Sequence, residues 1–292
     1  MDIDQARTFL AIVANRSFLE AARQLHLTQS TVSARIKRLE EDLGAQLFVR
    51  SRAGATLTKA GRRFSVYAKR LVLTANQARD EIGLPDRYHS SIRIGGRIAL
   101  WEGFLTEWAR WMRNTTNDVV LRCEIGFEED MMRSLIEGSL DVGVMYTPSH
   151  SLDLVVEHLF DDNLILVSTR DNDPGPMEDY TYVDWGPGFH ARHVQHYTDL
   201  DSPRQTANIG WLGVQLALNN GGSCFLPARM VKPMLADVGS KAQQGNVRLH
   251  RVAGSPEFEQ QVYMVFPRDS DNPVLTQALK GLRLAAKKER RG

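Results

Sequence analysis

The stretch Thr28–Glu40 constrains this chain more than any other. Val32, Ile36, Leu39 and Leu43 recur at i, i+4, i+7 and i+11, which is one buried stripe of a helix. The opposite face carries Gln29, Ser30, Ser33, Arg35, Lys37 and Arg38, hydrogen-bond donors and cations with almost no apolar filler. Such a face suits a groove lined with acceptors and phosphates. Taken alone, such a face more often belongs to a solvated helix surface. Its neighbours decide between the two.

Ile3, Ala6, Phe9, Leu10 and Val13 predict a preceding helix with one apolar face, broken at Asn15-Arg16. Ser17 stands three residues before Glu20, a capping-box spacing that opens a second helix burying Phe18, Ala21, Ala22 and Leu25. His26-Leu27 is a turn, and Thr28 caps the third helix. Two short helices across so short a turn form a helix-turn-helix, whose second helix can lie in the major groove. Thr28, Gln29, Ser30 and Thr31 then stand where base edges are reached. Gly44 is a C-cap, and Leu47–Leu57, with Gly54 near its middle, reads as a two-stranded ribbon. That ribbon is either a plain hairpin or a DNA-binding wing whose Arg50 and Arg52 enter the minor groove. The adjacent helix-turn-helix favours the wing.

The order Ser17-Phe18, Ala21-Ala22, Leu25, Thr28-Gln29-Ser30, Val32-Ser33, Ile36, Leu39-Glu40, Leu43-Gly44, Leu47-Phe48, Arg50, Leu57-Thr58 and Ala60-Gly61 resembles the LysR-type transcriptional regulators over about the first 65 residues. The resemblance implies a winged helix-turn-helix at 1–57, a linker and dimerisation helix at 58–84, a hinge at 85–90 and an effector-binding domain at 91–292. One departure matters. Several relatives carry Arg where this chain has Ala34, so a base contact is lost or moved to Arg35 or Arg38, and the operator sequence does not carry over.

Thr58 can cap a long helix in which Phe64, Ala68, Leu71, Ala75, Ala78 and Ile82 alternate steps of four and three. A heptad row of this kind is a coiled-coil seam, and an isolated helix bearing it is marginal in water. The seam needs a partner helix, or else a place against its own chain. In the LysR type such helices pair two DNA-binding units, which implies a homodimer or homotetramer on an inverted-repeat double-stranded operator. Gly83-Leu84-Pro85 stops the helix.

Charge follows the same division. Residues 1–84 hold 14 Lys/Arg against 8 Asp/Glu, a net of +6, and the remainder hold 22 against 27, a net of −5. A basic third joined to a mildly acidic remainder indicates a polyanion-binding module attached to something else. No apolar run is long enough to span a membrane, and the acidic start Met1-Asp2-Ile3-Asp4 lacks a signal-peptide core, so a cytoplasmic location is expected. Two cysteines, Cys123 and Cys224, indicate neither a disulfide framework nor a zinc site. No cofactor or metal is expected.

From Ile92 onward, strands and helices alternate, which predicts a mostly parallel sheet covered on both faces. The strands expected are Ile92–Gly96, Val119–Ile125, Asp141–Tyr146, Val155–Phe160, Leu164–Ser168, Thr181–Trp185, Ser223–Leu226 and Gln261–Pro267, with a final helix Val274–Lys288. The fold class is therefore α + α/β. The second region has two lobes, about 91–160 with 266–292 and about 161–265, as in periplasmic binding proteins and LysR-type effector domains.

Ligands of open α/β sheets sit beyond the C-terminal strand ends. This places Arg97, Ile98, Trp101, Phe127, Glu128 and Tyr146 of lobe one, with Trp185, Thr206 and Asn208 of lobe two, around an interlobe cleft. Arg97 beside Trp101 and Phe127 suits an anionic or aromatic small molecule. Alternatively, Arg97 pairs with Glu128 or Glu102 and the cleft is closed.

No nucleophile elbow, His-Glu metal motif or cysteine cluster accompanies the eight histidines, so no enzyme is expected. Cys224 lies in an apparent buried strand, which favours an inert thiol over a redox sensor. The expectation is a DNA-binding regulator controlled by a small-molecule effector and contacting RNA polymerase. The alternative is a ligand-independent regulator whose α/β domain only oligomerises.

Overall fold

In the computed structural model, residues 1–51, 54–171, 175, 179–198, 203–235 and 249–290 are described. Capping chemistry sets the ends of the first helices α1 (Ile3–Asn15), α2 (Phe18–Gln24) and α3 (Gln29–Leu43). Asp2 and Gln5 close a full capping box at α1 that the sequence reading did not anticipate. The box expected at α2 is half formed. Ser17 accepts from the Glu20 amide at 3.3 Å, but the Glu20 carboxylate turns to Arg23 at 2.7 Å. Thr28 accepts from the Thr31 amide, and Gly44, at φ 64°, ends α3.

The apolar stripes meet around Phe9, whose ring lies 5.0 Å from Phe48 and 4.9 Å from Phe64. A buried ring of this kind contributes about 2 kcal/mol. Strands β1 (Phe48–Ser51) and β2 (Gly54–Leu57) form the expected antiparallel ribbon. Glu40 Oε1 fastens it to α3 by accepting from the amides of Leu47 and Phe48, at 2.7 and 3.3 Å.

Helix α4 (Lys59–Ile82) begins where Thr58 Oγ1 accepts from the Gly61 amide, at 2.9 Å. Its expected seam is divided, and this corrects the sequence reading. Phe64 and Ala68 are buried with Val72 in the core of the first domain, packed against α1. Leu71, Ala78 and Ile82 stay exposed, and Ala75 is half-buried. The face left open runs through Tyr67, Leu71, Thr74 and Ala78, again at steps of four and three.

The second region is built on a seven-stranded sheet. Strand β3 (Ser90–Gly96) pairs in parallel with β4 (Val119–Ile125) and β5 (Val142–Met145). The two segments expected at 155–168 are one long strand, β6 (Leu154–Ser168). The first strands and helices of lobe two follow: β7 (Thr181–Val183), α8 (Pro187–His196) and β8 (Gln205–Ala207). Then come α9 (Gly210–Asn220), β9 (Ser223–Pro227), α10 (Ala228–Val231) and β10 (His250–Arg251).

Strand β11 (Phe258–Pro267) runs antiparallel to β6 and to β5, and β6 also pairs antiparallel with β9 and β10. The sheet is not the mostly parallel one expected: among the described residues four of its six pairings are antiparallel, because the two strands that cross between the lobes run against their neighbours. β6 and β11 therefore cross between the two lobes and belong to both. β7 and β8 form a separate parallel pair.

In lobe one, the helix expected after β3 is broken. A single turn, α5 (Ile98–Leu100), is followed by an irregular segment with Glu102 at ψ 98° and Gly103 at φ 88°, and then by α6 (Thr106–Thr115). Gly103 supplies a conformation that a residue with a Cβ rarely adopts. Phe104, Leu105 and Trp108 are nevertheless all buried. Helices α7 (Glu128–Glu137) and α11 (Leu275–Glu289) complete the lobe.

Candidate nucleic-acid interface and interlobe site

On α3, Gln29, Ser30, Lys37 and Arg38 are exposed, while Thr31 and Ser33 are half-buried. Thr28 is occupied as a cap, its hydroxyl 2.8 Å from those of both Ser30 and Thr31. Arg35 turns away from the open face. Its guanidinium lies 3.4 Å from Thr8 Oγ1 and 3.5 Å from the Asp4 carboxylate, both on α1. Arg50 stands opposite Ala55 in the ribbon, and Arg52 falls outside the described residues. The exposed Gln29 and Ser30 at the start of α3, and Lys37 and Arg38 farther along, thus sit on a domain of net positive charge that also carries the ribbon.

In the second region the strand-end residues divide into two groups. Arg97, Phe127, Glu128 and Asn208 come together. The Arg97 guanidinium lies 4.7 Å from the Phe127 ring centroid and 3.3 Å from Glu128 Oε2, and donates to the Asn208 carbonyl at 3.2 Å. It is only 9% exposed, so the Glu128 carboxylate supplies the charge that burial requires. Asn208 takes part through its backbone, and its side chain is exposed, as is Thr206. Ile98 is half-buried, and Trp101 is pinned against β4 by its donation to the Glu124 carbonyl at 3.0 Å.

Tyr146 and Trp185 do not line an opening. Their rings meet edge to face at 6.0 Å, both are buried, and the Trp185 indole donates to the Phe225 carbonyl at 2.8 Å. Burial pushes the Tyr146 phenol far above its usual range, and its hydroxyl reaches Asp162 at 3.3 Å. Asp162 also holds Arg229, which donates as well to the carbonyls of Ala99 and Glu102 in lobe one. No local pattern could have picked out this group, because its members come from four separate segments.

Cys224 is fully buried, and burial pushes its thiol up to about 12, which removes the thiolate that redox chemistry needs. Among the described residues no group of three or more His, Cys, Asp or Glu could hold a metal ion. No described helix is long and apolar enough to cross a membrane.

A winged helix-turn-helix on a long helix, followed by a two-lobed α/β domain, defines a DNA-binding transcriptional regulator with a built-in sensing module. Residues 3–62 match the model of the bacterial regulatory helix-turn-helix proteins of the LysR family, and residues 86–285 match the LysR substrate binding domain. The chain belongs to the LysR family of transcriptional regulators, which are not enzymes. It is 32% identical over 244 residues to the HTH-type transcriptional regulator HdfR of Yersinia pestis (strain Pestoides F), covering 80% of this chain and 83% of that protein. Among solved structures it resembles ArgP from Mycobacterium tuberculosis, with a TM-score of 0.58, 24% identity and 98% and 97% of the two chains covered. It also resembles full-length LysG from Corynebacterium glutamicum with bound effector Arg, with a TM-score of 0.57, 19% identity and 99% of each chain covered. Both likenesses are of fold.

Proposed function

We propose that this regulator reads an inverted-repeat DNA operator as a homodimer or homotetramer, with α3 in the major groove and the ribbon beside it. The observation that carries the reading is the exposed face of α3: Gln29 and Ser30 at the helix start, where base edges are reached, and Arg38 a few turns on, where a phosphate runs. The open row Tyr67, Leu71, Thr74 and Ala78 supplies the pairing face, and an anionic or aromatic effector between the lobes is met by Arg97 and Phe127. The setting is the cytoplasm, with RNA polymerase as the partner at the promoter. Footprinting upstream of its own and neighbouring genes, across a salt series, tests this. A protected site whose affinity falls steeply with salt is expected, and its absence would overturn the reading.

A second reading, regulation without a ligand, is favoured by one observation: the Arg97 guanidinium already has Glu128 and the Asn208 carbonyl. Thermal-shift measurements on the full chain with small carboxylates and aromatic acids separate the two, since a ligand of the native state raises the midpoint.

A further inference from the structure

Helix α4 has a third, half-buried face on which Lys69, Leu73 and Asn76 follow one another at i, i+4 and i+7. Lys69 pairs with Asp153, just before β6. Leu73 rests on Gly138, the left-handed C-cap of α7, so closely that a Cβ there would stand 2.9 Å from Leu73 Cδ1 and 3.3 Å from its Cβ. Asn76 accepts from Arg7 of α1 at 2.7 Å, tying the DNA-binding unit to this face of the helix. One residue before Gly138, Glu137 accepts from Gln24 at the end of α2, at 3.0 Å. The C-terminal end of α7 thus touches both the linker and the helix-turn-helix of its own chain.

The other end of α7 lies at the interlobe site. Phe127 and Glu128, which begin the helix, are the residues stacked on and paired with Arg97. Ten residues of helix form a stiff rod of about 15 Å between the two ends. Its inner side is fixed in a small core through Met131, Met132 and Leu135. Clefts of 150, 310 and 410 Å³, open to solvent, flank the seat at the far end, the first between Leu73 and Leu140, the others between α1 and α7. A contact bordered by such clefts has room for a second arrangement, unlike a close-packed core.

We infer that α7 couples the interlobe site to the DNA-binding unit of the same chain, through a docking seat of Leu73 on Gly138 and Gln24 on Glu137. The inference rests on the reading of Arg97 and its neighbours as the effector site. A ligand that takes Arg97 from Glu128 frees the N-terminal end of the rod, and the seat at its C-terminal end shifts with it. The coupling acts within one subunit, in addition to whatever passes through residues 83–89.

Hydrogen exchange on the full-length protein, without DNA or ligand, tests both links. Lys69→Glu should speed exchange at least threefold across residues 69–76 and 134–139, and adding Asp153→Lys should restore protection by reversing the ion pair. Glu128→Gln, about 15 Å from the seat by helix length, should speed exchange in the same two stretches and leave β9 unchanged, which also shows that the variant is folded. Wild-type exchange in Lys69→Glu would overturn the docking seat. A response to Lys69→Glu but none to Glu128→Gln would overturn transmission through α7. Neither outcome depends on DNA, so a failed footprint would sink the functional reading and leave this coupling standing.

Discussion

Arg229 and Asp162 face each other inside the regulatory domain, Nε 3.0 Å from Oδ2, with side chains 12% and 3% exposed. Asp162 lies on the crossover strand β6, Arg229 on α10, and the remaining guanidinium donors reach Ala99 and Glu102 of lobe one. One side chain therefore ties together three segments at the lobe junction. Removing a partner from such a pair costs more than the pair contributes, because a charge is left buried alone.

Arg229→Met should accordingly lower the stability of the full chain by about 3–5 kcal/mol. The urea midpoint reads this directly. Asp162→Asn, which keeps an acceptor for Arg229 and for the Tyr146 hydroxyl, should cost less. Equal midpoints for Arg229→Met and the wild type would show that solvent reaches Asp162.

The faces of α4 separate two substitutions that a heptad reading treats alike. Leu71 is 37% exposed on the open face, and Phe64 is 7% exposed within the aromatic cluster of the first domain. Leu71→Asp should leave the DNA-binding unit folded and abolish pairing, with the mass from light scattering falling to that of a monomer. Phe64→Asp should instead unfold the unit, with loss of helical circular dichroism. A Leu71→Asp protein that keeps the wild-type mass would rule out this face as the seam.

The sequence made α4 legible as a helix but not its division of labour. Periodicity records which residues are apolar and says nothing of which surface covers them. Val72 stands outside the heptad row and is buried, whereas Leu71 and Ile82 stand within it and are not. The strand-end rule had a similar outcome. It brought Arg97, Phe127, Glu128 and Asn208 to one place. Yet Tyr146 and Trp185, at equivalent strand ends, turn inward because the junction needs large rings to fill it. Asp162 and Arg229, 67 residues apart, leave no local trace in the chain. Most strands and helices, by contrast, were marked by alternation, caps and glycines close to where they lie.

Exposure on α3 ranks the DNA contacts. Gln29 is exposed at the helix start, Arg38 is exposed farther along, and Arg35 is held by Thr8 and Asp4. Gln29→Ala should relax sequence preference at one operator position, costing about 1–3 kcal/mol there. Arg38→Ala should weaken all sequences alike and reduce the salt slope by about one. Arg35→Ala should change the slope less than Arg38→Ala, its charge being partly spent on Asp4. Titrations at several salt concentrations check all three, and a larger slope change for Arg35 would mean that it leaves α1 on binding.

His193 gives lobe two a defined acid sensitivity. It stacks on Tyr180 at 5.5 Å, shares a 2.9 Å hydrogen bond with the Tyr180 hydroxyl and is 4% exposed. Burial, with smaller contributions from His190 and His196, lowers its pKa from 6.5 to about 4. The native state therefore refuses a proton that the unfolded chain accepts below about pH 6.5. Stability conferred by the neutral ring is complete above that pH and is lost as pH falls toward 4, by up to about 3 kcal/mol. His193→Phe keeps an aromatic ring in the cluster but cannot titrate. It should be less stable than the wild type near neutrality, since the Tyr180 hydroxyl loses its partner, and should lose less between about pH 6.5 and 4.5. Calorimetric midpoints at three pH values suffice, and parallel declines for both proteins would place the acid-sensitive group elsewhere.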